Sequence, residues 1–192
     1  MSTVTPPDTE PLREAYRALL HAAHTLLDSG DPNPAAPEGE WNADQILAHV
    51  SLVNATTLAT LSAIAAGAHA TYDNRIAQDT WTIEHHVEIA GGNAGLCNRI
   101  RLQADALCTL AGGALSDAEL DTLVPTRLLS HNAVLVDQPV PLRDLITGLA
   151  TNEIPGHTKQ LLALQSSRCP ARSASVLPSE AGGADTAKNS PR

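Results

Sequence analysis

Apolar residues recur at helical spacing in four long stretches of this chain. The stretches cover residues 9–28, 43–68, 79–110 and 142–165. Within each stretch the apolar positions return about every three to four residues, which places them on one face of an α-helix. Helices of this kind bury their apolar faces against one another. The pattern therefore predicts an all-α fold built as a four-helix bundle.

Residues that start, end or interrupt helices are found between and within these stretches. The segment DPNPAAPEGE, residues 31–40, is rich in Pro, Asp and Gly and predicts an extended loop. Asn42 is the expected cap of the second helix, because its side chain can accept hydrogen bonds from the first free backbone amides. Gly91, Gly92 and Gly95 interrupt the third stretch, so we expect a kink or a local break there.

The region before the fourth helix has a different pattern. Residues 116–120, SDAEL, resemble a capped single helical turn. Two short runs follow, at 127–130 and 134–136. They predict a small hairpin or an extended crossover before the last helix, since the prolines around them restrict strand pairing.

The two ends of the chain contain few apolar residues. Residues 1–8 are predicted to be a disordered lead and residues 166–192 a disordered tail. Residues 9–165 then form one domain, a size that is ordinary for a single hydrophobic core.

Composition supports helices and excludes one class of partner. Hydrophobic residues make up 43% of the chain, but aromatic residues only 2%, with no Phe. The core must therefore be built from Leu, Ala, Val and Ile, which favours closely packed helices over a sheet-rich fold. A net charge of -9 and the lack of any Lys/Arg run exclude nucleic acid as a partner.

Cysteine spacing and hydropathy indicate the cellular compartment of the protein. Cys97, Cys108 and Cys169 show no CxxC spacing, so neither a disulfide framework nor a thiolate zinc site is indicated. The amino-terminal residues lack the pattern of a secretion signal. We found no uninterrupted apolar run long enough to cross a membrane, and the cytoplasm is the expected location.

The fourth helix carries two ionisable residues in its apolar stripe. Glu153 and His157 are four residues apart, so their side chains converge on one point of the helix face. A carboxylate taken out of water needs a partner, and a divalent cation would provide one. His49 lies on the inward face of the second helix and is the best candidate for a third ligand. Pro155 lies between the two helix residues and either re-aims Glu153 or breaks the helix.

Two histidines and one carboxylate leave a coordination position open, as in catalytic rather than structural zinc sites. The same set suits Fe(II), Ni or Mn, so the residues alone do not select the metal. Taken singly, each of the three also has an ordinary structural explanation, a hydrogen-bonded core histidine or a carboxylate at a kink.

Other candidates have plainer explanations beside functional ones. His85 and His86 are adjacent, so at most one of them can line a cleft. His21 and His24 share a helix face and are expected to form a surface pair. Arg99 and Arg101 either meet a substrate carboxylate or are solvated charges, and Cys97 and Cys108 are expected to be small buried thiols.

Two short strings carry a resemblance to a known family. WNADQILAHV resembles the start of the second helix in the DinB-like superfamily, and EIPGHTKQL is similar to its closing motif, with Glu153 at the position of its first histidine. Glutamate there is the pattern of the mycothiol-dependent maleylpyruvate isomerase branch. The resemblance implies a bundle that binds zinc through His49, Glu153 and His157. It also implies thiol transfer or isomerisation with a low-molecular-weight thiol such as mycothiol.

The expected function is a metal-dependent, thiol-using enzyme that acts on a small electrophile. Hydrolysis at the same site and a non-catalytic, ligand-binding bundle remain open as alternatives. The isomerase carries a further C-terminal domain where this chain has residues 166–192, so maleylpyruvate isomerisation itself is not expected. Segments 30–42 and 112–140 are expected to form the pocket walls, and a homodimer is the default assembly.

Overall fold

The computed structural model describes residues 8–130 and 133–166 of the chain. Apart from Asp8 and Ser166, the predicted lead and tail lie outside these residues, as does His131. The described chain is mostly helical and contains one small three-stranded sheet. The predicted helical class is therefore confirmed at this level.

The helices and strands follow one another in an order close to that predicted. The helices are α1 (Glu10–Asp28), α2 (Ala43–Ala65), α3 (Thr80–Ala90), α4 (Gly92–Thr109), α5 (Asp117–Leu120), α6 (Leu142–Gly148) and α7 (Ile154–Ser166). The strands are β1 (Tyr72–Asp73), β2 (Leu123–Ser130) and β3 (Ala133–Pro141).

Helix α2 is the central element of the helical body. It packs against α3, α4 and α7, while α1 packs against α4 and α7. Its start is fixed by a reciprocal cap, in which Asn42 accepts a hydrogen bond from the Gln45 amide and Gln45 accepts one from the Asn42 amide. The predicted cap is thus confirmed, and the helix ends at Ala65, three residues earlier than predicted.

By length and mean hydropathy alone, α2 is long and apolar enough for a membrane span, although polar residues such as His49 and Asn54 interrupt its apolar run. Of its most apolar 18-residue window, 67% is buried inside the protein. Burial of this kind is typical of the core helix of a folded domain.

The third predicted helix is two helices, α3 and α4. Gly91 ends α3 in a left-handed conformation with φ of 81°, which glycine adopts without steric cost. Gly95 lets the two helices meet closely, because a Cβ atom at this position would lie 1.7 Å from the Ala90 carbonyl oxygen. The break expected from the glycines is therefore present.

The last predicted helix is continuous from 142 to 166 but contains one wide turn. Helices α6 and α7 are joined by a π-helical turn, Leu149–Glu153. In that turn the Ile154 amide donates to the Leu149 carbonyl, five residues earlier instead of four. The wide turn comes immediately before Pro155, whose ring cannot fit against the carbonyl four residues before it in a regular helix.

The predicted hairpin is present and longer than the two runs that indicated it. Strands β2 and β3 pair antiparallel, with a register shift between Leu128 and Leu129. The two-residue strand β1 adds to β2 in parallel, with Tyr72 opposite Thr126. This parallel pairing was not predicted, since a two-residue strand has too short a pattern to detect.

Candidate metal centre

His49, Glu153 and His157 meet at one point between α2 and the last helical segment. His49 Nε2 lies 2.9 Å from Glu153 Oε1, and His157 Nε2 lies 3.3 Å from the same oxygen. Nitrogen and oxygen atoms from all three side chains lie within 4.8 Å of one another. The structure therefore brings together the three predicted ligands, although His49 and Glu153 are 104 residues apart in the chain.

The π-helical turn before Pro155 shows that the proline does not break the last helix. The helix is not broken, since backbone hydrogen bonding continues through Ile154 into α7. Glu153 is the last residue of the π-helical turn, and His157 lies one regular turn further on. Both side chains consequently reach the same cavity, and the proline changes the direction of Glu153 and His157 without separating them.

Each imidazole is held by its second nitrogen. His49 Nδ1 lies 2.6 Å from the Ala77 carbonyl oxygen, and His157 Nδ1 lies 2.7 Å from Gln160 Oε1. A carbonyl oxygen only accepts hydrogen bonds, so both Nδ1 atoms donate. In a neutral imidazole this leaves the Nε2 atom as an acceptor, and metal-binding histidines are commonly oriented in this way.

This arrangement makes the three groups a good fit for a cation. When both rings are neutral, two Nε2 lone pairs and a carboxylate oxygen, all acceptors, point at one another over short distances. Acceptors in contact repel each other unless a proton or a positive ion lies between them. Two nitrogens and one oxygen are a donor set that divalent zinc, iron, nickel and manganese all accept.

Burial differs among the three side chains. The His49 side chain is 2% exposed, that of His157 13% and that of Glu153 33%. Glu153 is thus only partly buried, which corrects the expectation of a carboxylate inside the core. Burial acts to raise the pKa of Glu153, but the hydrogen bonds and charges of His157 and His49 outweigh it and hold that pKa well below its ordinary value.

The indole of Trp41 covers the two imidazoles. Its ring centre lies 4.8 Å from that of His49 and 6.4 Å from that of His157. Trp41 lies just before α2 and packs beside both histidines at the cavity.

The three side chains open into a cavity of about 690 Å³. One wall comes from the loop before α2, at residues 39–41, and another from the hairpin, at 128–130 and 135–136. The third comes from the helical segment that carries Glu153. The first two walls fall in the segments from which the sequence predicted them. A cavity of this size accommodates a small-molecule ligand.

The remaining histidine candidates lie elsewhere. His86 is buried, but its Nε2 atom lies 3.0 Å from Ser51 Oγ and it does not line the cavity. His85 is half-exposed and lies near Glu88. His21 and His24 are exposed on α1, as the surface-pair interpretation predicted.

Neither arginine candidate lines the cavity. Arg101 is exposed and hydrogen-bonds Asn98, which confirms the interpretation of a solvated charge. Arg99 is half-buried and close enough to His86 to lower the pKa of that imidazole, an effect smaller than that of burial. Cys97 and Cys108 are buried free thiols, as predicted.

Two contributors to the site were missed in the sequence. The Ala77 carbonyl belongs to a short 3-10 turn, Arg75–Ala77, and a backbone oxygen has no sequence signature. Gln160 was predicted only as part of the closing motif EIPGHTKQL. Its spacing of three residues from His157 also predicts a hydrogen bond on the helix face.

Comparison of this chain with known protein families, with curated proteins and with solved structures finds no significant match.

Proposed function

We propose that this chain is a DinB-like four-helix bundle that binds a divalent cation, zinc, through His49, Glu153 and His157. We further propose that it transfers a low-molecular-weight thiol, such as mycothiol, to a small electrophile. Cytoplasmic location and a homodimer stay predictions. The observation that carries the proposal is the convergence of two lone-pair-bearing Nε2 atoms and one carboxylate oxygen at the end of a cavity.

The packing of the long helical segments supports the proposed bundle. Helices α1, α2, α4 and α7 contact one another across a shared core, with α2 the most enclosed. The hairpin β2–β3 precedes the last helical segment, as the resemblance leads us to expect. Both features agree with a DinB-like topology.

The side chains around the ligands support a reactive rather than a purely structural site. Three protein ligands leave at least one coordination position for a small molecule. A divalent cation held by His49, Glu153 and His157 would supply Lewis-acid chemistry and would lower the pKa of a thiol or water bound to it. Trp41 and the hairpin restrict solvent on either side of that position, and the Ala77 and Gln160 oxygens hold the imidazoles in orientation.

The proposed reaction balances without an oxidant or reductant. The thiol loses its proton to solvent, its sulfur forms a bond to the electrophilic carbon, and the leaving group departs with the electron pair of the broken bond. Glu153 has a low pKa, so it stays an anion at neutral pH and serves as a ligand rather than as a proton donor.

Two measurements test the proposal. The first is the metal content of the purified protein beside Glu153→Gln, with His85→Ala as a control outside the site. The second is zinc-dependent conjugation of a thiol panel, mycothiol included, to 1-chloro-2,4-dinitrobenzene. An apo protein whose melting temperature does not respond to zinc would refute the metal site.

The second measurement also separates the two alternatives. Bound zinc without any thiol consumption, but with zinc-dependent hydrolysis of activated esters, would favour the hydrolase. Bound zinc with neither reaction would favour a ligand-binding bundle.

A further inference from the structure

The charged side chains around the cavity have one sign only. Among the described lining residues the charged ones are Glu40 and Glu153, both acidic, and no Lys or Arg is present. The nearest basic residues in sequence do not line it: Arg75, Arg127 and Arg143 pair with aspartates, and Lys159 is exposed next to Gln160. Any positive charge in the described wall would come from His49 or His157, and both lie against the Glu153 carboxylate.

Apolar side chains form the hairpin side and much of the helical side of the cavity, beside uncharged polar residues such as Gln78, Thr80 and Asn152. The hairpin contributes Leu128, Leu129, Leu135 and Val136, and the helical segment contributes Leu145 and Leu149. An apolar wall gains free energy when it covers apolar ligand surface, and it does not compensate a carboxylate for the water it loses.

We propose that the cavity selects an uncharged, apolar electrophile and discriminates against anionic ones. The ligand is called an electrophile because of the proposed function, whereas the preference for uncharged ligands in the metal-free protein depends on the cavity wall alone. Glu153 already offsets one of the two positive charges of a divalent cation, and a thiol that has lost its proton offsets the second. With the charges of the cation, Glu153 and the thiolate summing to zero, an anionic co-substrate would meet only the negative charge of Glu40.

Two chlorinated nitroarenes give a matched pair of ligands. 1-Chloro-2,4-dinitrobenzene is neutral, and 4-chloro-3-nitrobenzoate carries a carboxylate on a similar ring. Binding is measured without thiol, as quenching of tryptophan fluorescence after correction for absorbance. The chain has two tryptophans, Trp41 at the cavity and Trp81 exposed on α3. A Trp81→Phe background therefore restricts the signal to the cavity.

The hairpin offers a matched pair of variants. Leu135 lines the cavity and is 67% exposed, whereas its neighbour Val134 is 56% exposed and does not line it. Lysine at either position adds the same charge to the same exposed strand, and neither substitution removes a core side chain. Leu135→Lys tests the wall, and Val134→Lys controls for the change in net charge.

The neutral arene is expected to bind at least about tenfold more tightly than the benzoate after chelation of any bound metal. Leu135→Lys is expected to reduce that ratio by about threefold or more, while Val134→Lys leaves it unchanged. Equal or tighter binding of the benzoate by the chelated protein would overturn the proposal, and so would equal effects of the two lysines.

Turnover is a separate readout. If the zinc-loaded protein binds the neutral arene but conjugates no thiol to it, the proposed transferase fails and the ligand preference stands. If it conjugates both arenes at equal kcat/KM after correction for their uncatalysed rates, the transferase stands and the preference fails.

Discussion

His49 Nε2 and Glu153 Oε1 lie 2.9 Å apart, and the opposite nitrogen of His49 lies 2.6 Å from the Ala77 carbonyl oxygen. The imidazole is therefore held between a backbone acceptor and a carboxylate. Because Nδ1 must donate to the Ala77 carbonyl, Nε2 of a neutral ring is an acceptor. It faces the Glu153 carboxylate, which is also an acceptor. A proton on Nε2 or a bound metal cation satisfies both, and the third group, His157, makes the site suitable for the metal.

Removing the charge of Glu153 tests this relationship directly. Glu153→Gln keeps the shape of the side chain but removes the anion. Zinc at about 100 times its Kd stabilises a folded site by about 2.7 kcal/mol, which corresponds to a rise in melting temperature of about 5–10 °C. We expect that rise in chelated and reloaded wild type and in His85→Ala, but not in Glu153→Gln, as measured by differential scanning calorimetry. A full response in Glu153→Gln would exclude the carboxylate as a ligand.

Gln160 is expected to tune affinity rather than to create the site. Its Oε1 atom accepts the hydrogen bond from His157 Nδ1. Gln160→Leu leaves that donor without a partner and frees the ring, so zinc affinity should fall by about 10- to 100-fold. Competition with a fluorescent chelator measures the affinity. Gln160→Glu, which keeps an acceptor, is the control and should bind at least as tightly as wild type.

Among the glycines that the structure describes, Gly95 is expected to tolerate alanine least. The added Cβ would meet the Ala90 carbonyl oxygen at 1.7 Å, so the junction of α3 and α4 would have to open. We expect a loss of at least about 2 kcal/mol in the free energy of unfolding, measured with urea. Gly148→Ala is the matched control, because its backbone is helical and no atom lies within 4 Å of the position that an added Cβ would take. A gain of about 0.5–1 kcal/mol in the free energy of unfolding is expected. Similar values for the two variants would contradict the close approach.

Cys97 is expected to be unreactive in the native protein. It is 3% exposed, and burial, with the charge of Asp44 adding to it, raises the pKa of its thiol to about 11. The thiolate is the reactive form, so alkylation by iodoacetamide at pH 8 should be slow and should increase about tenfold for each added pH unit below that pKa. Peptide mapping by mass spectrometry measures the rate. The same protein in urea is the control, and rapid native labelling would place Cys97 at an accessible surface.

Much of the helical organisation could be read from the chain. The apolar period predicted α1 and α2, and the glycines predicted the break between α3 and α4. These features are local: a period, a cap and a steric rule operate within a few residues. Glu153 and His157 were predicted as a pair for the same reason, since four residues on a helix bring two side chains together.

The tertiary structure decided whether that pair belongs to a site. Only packing of α2 against the last helical segment brings His49 to Glu153, and only the turn before α3 supplies the Ala77 oxygen. The effect of Pro155 was also undecidable locally, because a regular, a broken and a π-bulged helix all fit the same residues. Contacts between residues far apart in the chain depend on the packing of whole helices, which the local pattern of apolar positions does not specify.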